Sequence, residues 1–438
     1  MRKTFFIKTF GCKVNQFESE YFISSLLQNG FVMTGEDEAD LIIINSCAVT
    51  KEAERQFLQY VRKIKRNYPL KKIIATGCSV ENNFKKLQSE KLIAATVSNF
   101  YKKEIPNVVN SLLLSKKNIS LYKPIDEEII FNDLTHNKAP LHTRKFFKIQ
   151  DGCDNFCSYC IIPFLRGIPR SMDMKNIVKH ILTLKNQFKE IVLTGINIGI
   201  YGKDLGYKNG LLHLLETIED KLIQKNVVNF RIRLSSLKPD EISNELIDFA
   251  QKSRFLAPHF HLSIQNFNDK ILKLMNRKYN YSLIKERVDK IRNSLPFSGI
   301  GADVITGFPE ENSSEFEDNV VKMENININF FHIFPFSKRE NTEAFLFNET
   351  SSKKEKKERV NILKDIADKK KELFIKNNLN KKLKVLIESA ESQYFSGYSG
   401  NYIKVVVPYV KNLQLKNQFI NVKGETIKNK FYIQGRIL

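Results

Sequence analysis

Short apolar runs rich in β-branched residues alternate with helix-like segments over most of the chain. In the first 115 residues these runs predict strands, and apolar residues at helical spacing predict helices between them. The predicted strands are 5–10, 41–44 and 73–76, and the predicted helices are 18–27 and 51–64. Because right-handed crossovers return each strand in the same direction, the alternation predicts a parallel sheet in an N-terminal α/β domain of residues 1–115.

A second alternation follows a polar linker at residues 116–145, in which one strand is expected at 128–131. Its pattern suits a full or partial parallel barrel of six β/α units, with the chemistry at the carboxyl ends of the strands. The predicted strands are 146–150, 190–194, 229–234, 259–264, 299–306 and 330–336, and the predicted helices are 176–184, 240–251, 281–293 and 314–323. We assign this array to a central domain of residues 146–375.

The last part of the chain changes from a helical to a β-rich pattern. Residues 351–379 combine many lysines with apolar residues at helical spacing, which predicts a basic amphipathic helix with a solvated face. Short runs between Gly and Asn turns then predict strands at 384–387, 402–407, 418–422 and 430–433. We expect a small all-β barrel over residues 376–438, of a size that suits a nucleic-acid-binding appendage.

Three cysteines of the N-terminal domain each follow a predicted strand. Cys12 comes after the first strand, Cys47 after the second and Cys78 after the third. The carboxyl ends of parallel strands lie at one edge of the sheet, where ligands bind, so these thiols are expected to converge. Three unrelated buried cysteines are the alternative, because cysteine is often a core residue.

The other three cysteines form one Cys-x3-Cys-x2-Cys motif at Cys153, Cys157 and Cys160, directly after the first strand of the central array. Three closely spaced thiolates suit one face of an iron–sulfur cluster, and without a fourth ligand one iron stays open to a substrate. A structural zinc site is the alternative. Such a site takes four protein ligands, however, and His142 and His180 lie outside the loop.

Composition and net charge limit the classes of partner that we expect for this chain. The 70 Lys and Arg residues against 48 Asp and Glu give a net charge of +22, which favours a polyanion such as RNA, although solvated lysines also serve solubility alone. Six cysteines in 438 residues are too few for a disulfide scaffold. No apolar run approaches the length of a membrane helix or a secretory signal, so we expect a cytoplasmic protein without a membrane partner.

The cysteine motif resembles the signature of radical S-adenosylmethionine (SAM) enzymes, including an aromatic residue, Tyr159, before the last cysteine. Segments 149–153 and 160–171 are similar to the methylthiotransferases among these enzymes. The resemblance extends almost end to end, through segments 11–16, 45–50, 75–78, 274–279, 303–309 and 332–337. It implies an α/β fold with an N-terminal parallel domain, a central partial (βα)6 radical SAM barrel and a C-terminal TRAM-like RNA-binding barrel.

The resemblance also implies two 4Fe-4S clusters and SAM as cofactors. Cys153, Cys157 and Cys160 would hold the cluster whose open iron chelates SAM. A reduced cluster cleaves SAM to a radical that attacks an aromatic C–H bond, so no side-chain general base is expected. An electron donor such as flavodoxin or ferredoxin is an implied partner. The auxiliary cluster would be held by Cys12, Cys47 and Cys78.

Strand ends of the central array supply candidate SAM contacts, together with Tyr159. These contacts are Gly195 and Asn197 after the second strand, Ser235 after the third, Gln265 at the fourth and Thr306 at the fifth. Generic strand-end turns have the same appearance, which is the alternative interpretation.

We also consider roles for two arginines and three histidines outside these positions. Arg166 and Arg170 are candidates for contacts to RNA phosphate or the SAM carboxylate, or are plain surface arginines. His259, His261 and His332 lie within or beside strands, so we expect them to be satisfied core residues.

Two loops depart from the family pattern. Gln265, Asn266, Phe267 and Asn268 replace the usual Gln-Ser-Gly followed by Ser or Asp, and residues 309–312 read Pro-Glu-Glu-Asn instead of Pro-Gly-Glu-Thr. Both loops are expected at the mouth of the barrel, where these changes would alter the geometry of SAM or substrate binding.

The family acts on isopentenyladenosine in tRNA, on threonylcarbamoyladenosine in tRNA or on an aspartate of a ribosomal protein. Segments 11–18 and 196–204 most resemble the threonylcarbamoyl branch. This implies methylthiolation at C2 of N6-threonylcarbamoyladenosine, at position 37 in the tRNA anticodon stem-loop. A non-catalytic RNA-binding protein stabilised by metal, and a radical SAM enzyme with a small-molecule substrate, are the alternatives from other classes.

Overall fold

The computed structural model describes residues 3–89, 92–114, 118–123, 131, 133–134, 136 and 143–438, without the side chains of residues 88, 89 and 114. The chain folds into two compact units. The first, here called the cysteine unit, holds the described residues up to 136, Phe146–Met172 and Ser337–Phe345, and so contains all six cysteines. The second, here called the barrel unit, holds the remaining described residues.

A parallel sheet with helices on both faces forms the first part of the cysteine unit. Its described elements are β1 Thr4–Thr9, α1 Lys13–Gln28, β2 Val32–Met33, β3 Leu41–Ser46, α2 Lys51–Asn67, β4 Lys72–Gly77, α3 Cys78–Asn82, α4 Phe84–Ser89, β5 Ala95–Val97, a 3-10 helix Asn99–Glu104, α5 Ile105–Leu114 and β6 Ile119–Leu121. The strand order is β2-β1-β3-β4-β5-β6, with every pair parallel. The predicted N-terminal parallel sheet is therefore confirmed.

The winding direction of this sheet reverses between β1 and β3, because β2 lies on one side of β1 and the later strands lie on the other. In open parallel sheets, ligands bind at the carboxyl ends of strands at such a reversal. The strand β3 is buried at every position, since Leu41 and Ile43 pack with α1 and α5, whereas Ile42 and Ile44 pack with α2, α3 and α4.

Short elements surround the second cysteine motif in the remainder of the cysteine unit. They are β7 Lys145–Lys148, of which only Lys145 belongs to the barrel unit, then β8 Gln150–Asp151, α6 Ile162–Arg166, β9 Arg170–Ser171 and a 3-10 helix Glu343–Phe345. Because β8 pairs antiparallel with β9, the segment that holds Cys153, Cys157 and Cys160 begins and ends at the same ladder.

The barrel unit begins with alternating helices and strands. They are α7 Met174–Leu184, β10 Glu190–Thr194, α8 Gly210–Gln224, β11 Arg231–Leu234, α9 Asn244–Lys252, β12 His259–Gln265, α10 Asp269–Leu274, α11 Tyr281–Ser294, β13 Gly299–Thr306, α12 Ser313–Asn325, β14 Phe330–Pro335 and α13 Lys353–Lys376. The pairs β10 with β11, β12 with β13 and β13 with β14 are all parallel. The carboxyl ends of neighbouring strands therefore lie at a common edge.

The chain ends in a small closed barrel with the strand order β15-β16-β17-β19-β18. Its strands are β15 Lys382–Ala390, β16 Tyr394–Ser399, β17 Lys404–Pro408, β18 Phe419–Lys428 and β19 Tyr432–Ile437. Val385, Val405, Val422 and Ile433 fill its interior and are fully buried. The predicted all-β barrel is confirmed.

Several elements were absent from the sequence prediction, among them α5, α8, α10, β5, β6 and β16. The strand β16 has the sequence Tyr-Phe-Ser-Gly-Tyr-Ser, which has the composition of a turn. A Cβ at Gly397 of β16 would collide with the backbone of Leu386, so the glycine permits β15 and β16 to approach in the closed barrel. The strand expected at 128–131 lies, except for residue 131, outside the described residues.

Candidate metal centre

Cys12, Cys47 and Cys78 lie together at the carboxyl edge of the parallel sheet. Cys12 is the N-cap of α1, Cys47 follows β3 directly, and Cys78 is the first residue of α3. Ser46 pairs with Gly77, and Thr9 pairs with Asn45, so the three turns emerge from adjacent strands. The thiols are near enough to act electrostatically on one another.

Two glycines permit this close approach. Gly11 and Gly77 each have a φ of +96°, in the left-handed region that favours glycine. A Cβ at Gly11 would lie 2.6 Å from the Cβ of Cys47, and a Cβ at Gly77 would collide with the backbone of Ser46. The two Gly-Cys turns therefore pack closely against the end of β3, beside Cys47.

Burial changes the acidity of these thiols. It raises the pKa of the Cys47 thiol to about 12, and the neighbouring Cys78 and Cys12 thiols add to the increase. It also raises the pKa of the Cys12 thiol, although part of that residue reaches solvent, and the Arg166 charge acts in the opposite direction. Both thiols are therefore protonated at neutral pH when free, so metal binding at this site releases protons.

The second cysteine motif lies on a tightly bonded loop. The Cys153 N–H donates to the Gly167 carbonyl at 2.9 Å, and the Cys160 N–H donates to the Cys157 carbonyl at 2.9 Å. The Asn155 amide donates to Cys153 Sγ at 3.2 Å. All three cysteines of this loop are partly exposed.

A small apolar cluster joins the two cysteine trios. Cys78 and Ala48, from the sheet, pack with Ile161 and Leu165, which follow Cys160. Exposed apolar side chains lie beside both trios. They are Val49, two residues after Cys47, and the rings of Phe156 and Phe164, whose centroids are 5.8 Å apart. The two trios thus share an apolar surrounding within one unit.

Five buried charged side chains form an ion network beside Cys12 and Cys78. Arg166 of α6 donates to Glu18 at 3.1 Å and to Asp151 at 3.0 Å. Lys148 donates to Asp151 at 3.0 Å, and Lys102 pairs with Glu18. Burial alone would raise the pKa of the Glu18 carboxyl, but Arg166, Lys102 and Lys148 lower it to about 2. The network therefore consists of three cations and two carboxylates.

Arg166 is the member of this network that lies near enough to act electrostatically on both Cys12 and Cys78, while Lys102 acts on Cys78 and Glu18 acts on Cys12. Arg166 is 2% exposed, and Asp151 and Glu18 stabilise its positive charge. Deprotonated Cys78 and Cys12 sulfurs add to this stabilisation. The interpretation of Arg166 and Arg170 as RNA contacts or surface arginines is wrong, because both are buried and Arg170 donates to the Ile168 and Arg166 carbonyls.

Sequence reasoning missed the rest of the ion network. Asn15 and Glu18 follow Cys12 at three and six residues on α1, and Asn15 accepts from Arg166 at 3.1 Å. Polar residues at helical spacing after a candidate ligand were the available signal. No sequence signal indicated Lys102 or Lys148, because buried lysines are rare and nothing in their neighbouring sequence distinguishes them from exposed ones.

The strand-end residues expected to contact SAM are found at the carboxyl edge of the barrel unit, and Tyr159 lies half-buried in the motif loop. Asn197 is buried and donates to Glu241 at 2.6 Å. Gly195 and Gln265 are half-buried, Gln265 with a φ of +78°, and Ser235 is buried. The Thr306 hydroxyl donates to the buried Glu311 at 3.1 Å, so it already has a protein partner.

The two altered loops are bonded to each other. Asn266 donates to Glu311 at 3.0 Å, and Phe267 is fully buried in the core. Glu310 has a φ of +65° at the position where the family has glycine, and Asn312 accepts from Ser314 N at 2.9 Å as the N-cap of α12. Asn266 therefore links its loop to Glu311, which matches the family pattern, and the ring of Phe267 is buried away from solvent.

His332 does not match the expectation of a satisfied core histidine. Its side chain is 63% exposed, and its Nδ1 lies 3.2 Å from Asp303. The positions of β14 are half-buried or exposed, and His332 is one of its exposed positions. His259 is buried, as a core histidine should be.

The donor set of each trio fits an iron–sulfur cluster. Thiolates are the ligands that such clusters prefer, and three of them leave one iron open. At the N-terminal trio, the adjacent Arg166 charge favours an anionic ligand set, which three thiolates on a cluster provide. Zinc in a structural site needs a fourth protein ligand.

Comparison with known proteins agrees with this site. Residues 4–98 match the family described as "Uncharacterized protein family UPF0004", and residues 147–321 match the radical SAM superfamily. The second match implies a 4Fe-4S cluster and SAM as cofactors, and it covers Cys153, Cys157 and Cys160. These two matches define an α/β radical SAM protein.

Curated relatives extend the match over most of the chain. The threonylcarbamoyladenosine tRNA methylthiotransferase MtaB of Aquifex aeolicus is 35% identical, over 87% of this chain and 92% of its own. The protein of the same name from Thermotoga maritima is 34% identical, over 92% and 91%. The chain therefore belongs to the radical SAM methylthiotransferase family, whose members named here modify tRNA.

A solved structure supports the fold alone. The radical SAM methyltransferase TsrM from Kitasatospora setae superimposes with a TM-score of 0.58 at 10% identity, covering 78% of this chain and 74% of that chain. The predicted α/β class with a radical SAM domain is thus confirmed. Among the described residues, no helix is long and apolar enough to cross a membrane.

Proposed function

We propose that this chain adds a methylthio group to C2 of N6-threonylcarbamoyladenosine, next to the anticodon of tRNA in the cytoplasm. The observation that carries the proposal is the location of both cysteine trios in one unit, joined by the Ala48, Cys78, Ile161 and Leu165 cluster. A sulfur-inserting enzyme needs SAM cleavage and sulfur delivery at one place, and two adjacent clusters meet that need.

Each trio has its own role in this scheme. Cys153, Cys157 and Cys160 hold the cluster that binds SAM, which when bound supplies the electron that splits SAM into methionine and a 5′-deoxyadenosyl radical. The second set, Cys12, Cys47 and Cys78, holds an auxiliary cluster with one open iron. SAM contacts are assigned to Tyr159, Gly195, Asn197, Ser235, Gln265 and Thr306 by resemblance.

Other residues of the cysteine unit protect and orient the trios. Phe156 and Phe164 contact each other, and we assign to them and to Val49 the exclusion of water from the trios. Arg166 fixes α6 against α1 through Glu18 and stabilises negative charge on Cys12 and Cys78. These side chains bind and orient, and none of them is required to move a proton.

Two parts of the scheme concern partners. The C-terminal barrel, residues 376–438, binds the anticodon stem-loop, which agrees with the net charge of +22. A reductant such as flavodoxin or ferredoxin supplies the electron. Within the scheme, the N-terminal domain comprises residues 1–115, the linker 116–145 and the radical SAM domain 146–375.

A second substrate has support from one relative. The tRNA-2-methylthio-N(6)-dimethylallyladenosine synthase of Natranaerobius thermophilus is 31% identical, over 96% of this chain and 94% of its own. Dimethylallyladenosine differs from threonylcarbamoyladenosine in carrying an apolar group instead of a carboxylate. The two substrates can therefore be separated by a direct assay.

The test uses anticodon stem-loops that carry threonylcarbamoyladenosine, dimethylallyladenosine or unmodified adenosine. The reconstituted enzyme is incubated anaerobically with SAM and dithionite, and nucleosides are analysed by mass spectrometry, with Cys160→Ser as the inactive control. We expect the methylthio product with the threonylcarbamoyl substrate only. Product from the dimethylallyl substrate alone would contradict the assignment, and absence of product and 5′-deoxyadenosine would contradict the enzyme class.

A further inference from the structure

The barrel unit contains a cluster of two imidazoles and one carboxylate that includes none of the six cysteines. His261 Nε2 lies 3.0 Å from Asp303 Oδ1, and His332 Nδ1 lies 3.2 Å from the same oxygen. The three potential ligand atoms all lie within 4.8 Å of one another. Three donors on adjacent strands β12, β13 and β14 therefore converge on one point.

The register of the parallel strands builds this cluster. Asp303 pairs directly with His332, and His261 pairs with Gly301. Because Gly301 and Asp303 are two residues apart on one strand, they share a face of the sheet. A Cβ at Gly301 would come within 2.6 Å of His261 Nδ1, so the glycine leaves room for the imidazole ring.

The donor atoms of this cluster suit a metal cation. Two imidazoles and one carboxylate form a typical ligand set for first-row divalent metals, and they leave coordination positions open.

The exposed fraction of the three side chains increases from β12 through β13 to β14. The side chains of His261, Asp303 and His332 are 14%, 22% and 63% exposed. The first two are held by the sheet, whereas His332 borders solvent, so an ion can enter and bind further ligands. His259 provides a contrast within the same strand, because it is 7% exposed and its ring stacks on Tyr402 at 4.7 Å.

We propose that His261, Asp303 and His332 bind one divalent metal ion of the zinc type, in addition to the iron held by cysteines. Nitrogen and oxygen ligands distinguish this site from the thiolate sites, which favour iron–sulfur clusters. The open positions of the ion take oxygen ligands, from water or from a polar group of a molecule bound at that face of β12–β14.

The experiment measures zinc bound to the holoenzyme, whose cysteines are first filled by anaerobic iron and sulfide reconstitution. The wild type is dialysed against Zn2+ and analysed for metal content, together with Asp303→Asn and His332→Gln. His213→Gln, an exposed histidine of α8, is the matched control. We expect about one zinc per chain in the wild type and the control, and at least a tenfold weaker affinity in the two cluster variants.

Cobalt provides a spectroscopic readout of ligand type. Co2+ bound by His261, Asp303 and His332 gives weak visible bands without the intense charge transfer of a cobalt thiolate, and these bands disappear in Asp303→Asn. Equal zinc in all four proteins, or a thiolate spectrum that survives in both cluster variants, overturns the proposal. Since His332 is mostly exposed, His332→Gln remains a valid test even if Asp303→Asn does not fold.

Discussion

Each unit contains an ion network in which three cations face two carboxylates; the network is buried in the cysteine unit and partly buried in the barrel unit. The groups that compensate the extra positive charge differ between the two networks. In the cysteine unit the members are Lys102, Lys148, Arg166, Glu18 and Asp151. In the barrel unit they are Arg144, Arg231, Arg233, Glu190 and Glu388. The barrel-unit arginines also donate to backbone carbonyls of Tyr398 at 3.0 Å and Gly400 at 2.9 Å.

The two networks differ in how completely protein groups compensate their positive charge. A buried charge is stable only when opposite charges or hydrogen bonds compensate it. The barrel-unit network is compensated by protein groups and attaches the C-terminal barrel to the amino ends of β10 and β11. In the cysteine unit Arg166 instead acts on Cys12 and Cys78, and burial raises the pKa of the nearby Glu81 to about 7. In the proposed function, the thiolates of the auxiliary cluster supply the missing negative charge.

The largest expected effect comes from removing one sulfur of either trio. Cys78→Ser is expected to abolish methylthiolation but to keep SAM cleavage, because Cys153, Cys157 and Cys160 remain intact. Cys160→Ser is expected to abolish both reactions. Mass spectrometry of 5′-deoxyadenosine and of the modified nucleoside checks the pair. Equal loss of SAM cleavage in both variants would contradict separate roles for the two trios.

Arg166→Gln tests the cysteine-unit network. In the reconstituted protein the change leaves two carboxylates and the cluster thiolates with less positive charge, so we expect a loss of about 3–5 kcal/mol in unfolding free energy. In the protein without clusters the remaining two cations balance two carboxylates, and the loss is expected to be smaller. Chemical denaturation of both forms checks this difference, with Arg166→Lys as the charge-preserving control.

Glu190→Gln is the matched change in the barrel unit. It leaves Arg231 and Arg233 without their shared carboxylate, so we expect a loss of about 3 kcal/mol. The loss should be the same with and without clusters, because this network has no cysteine neighbour in the described part of the chain. If the loss of unfolding free energy in Glu190→Gln depended on the clusters, the proposed difference between the two networks would be contradicted.

The pH dependence of the unfolding free energy tests the barrel-unit network separately. Burial alone would raise the pKa of the Glu190 carboxyl, but Arg231 and Arg233 lower it to about 2. The unfolded chain has a value of about 4.3, so the stabilisation is present above that pH and is lost as the pH falls towards about 2. Unfolding free energies measured across this range should converge for wild type and Glu190→Gln. A constant gap down to about pH 2 would contradict the assignment.

The smallest expected effect lies away from both networks, at Glu310. Its φ of +65° is unfavourable for a residue with a side chain. Glu310→Gly is therefore expected to stabilise the barrel unit by up to about 1 kcal/mol, with no change in iron content. Thermal denaturation checks this, and a destabilised Glu310→Gly would show that the Glu310 side chain makes a contact of its own.

Periodicity and turn residues predicted most of the fold. Strands 190–194 and 299–306 were predicted with the observed bounds, and the strand ends indicated that Cys12, Cys47 and Cys78 would converge. Apolar alternation fails where glycine and serine form a strand, as in β16, because there the closing of the barrel determines the conformation.

Buried charge escaped the sequence analysis for a physical reason. Arg166 and Lys148 are members of residue types that are usually exposed, and their burial depends on partners such as Glu18, more than 120 residues away in the chain. His332 was misjudged because its strand borders solvent. Such long-range pairing leaves no periodic trace in a single sequence.

The most direct test counts iron and sulfide in the anaerobically reconstituted protein. For two clusters we predict about eight iron atoms per chain in the wild type. Two variants, Cys12→Ala/Cys47→Ala/Cys78→Ala and Cys153→Ala/Cys157→Ala/Cys160→Ala, should each retain about four. A wild-type chain that holds only about four, or a full complement in the first variant, would contradict the two-cluster account.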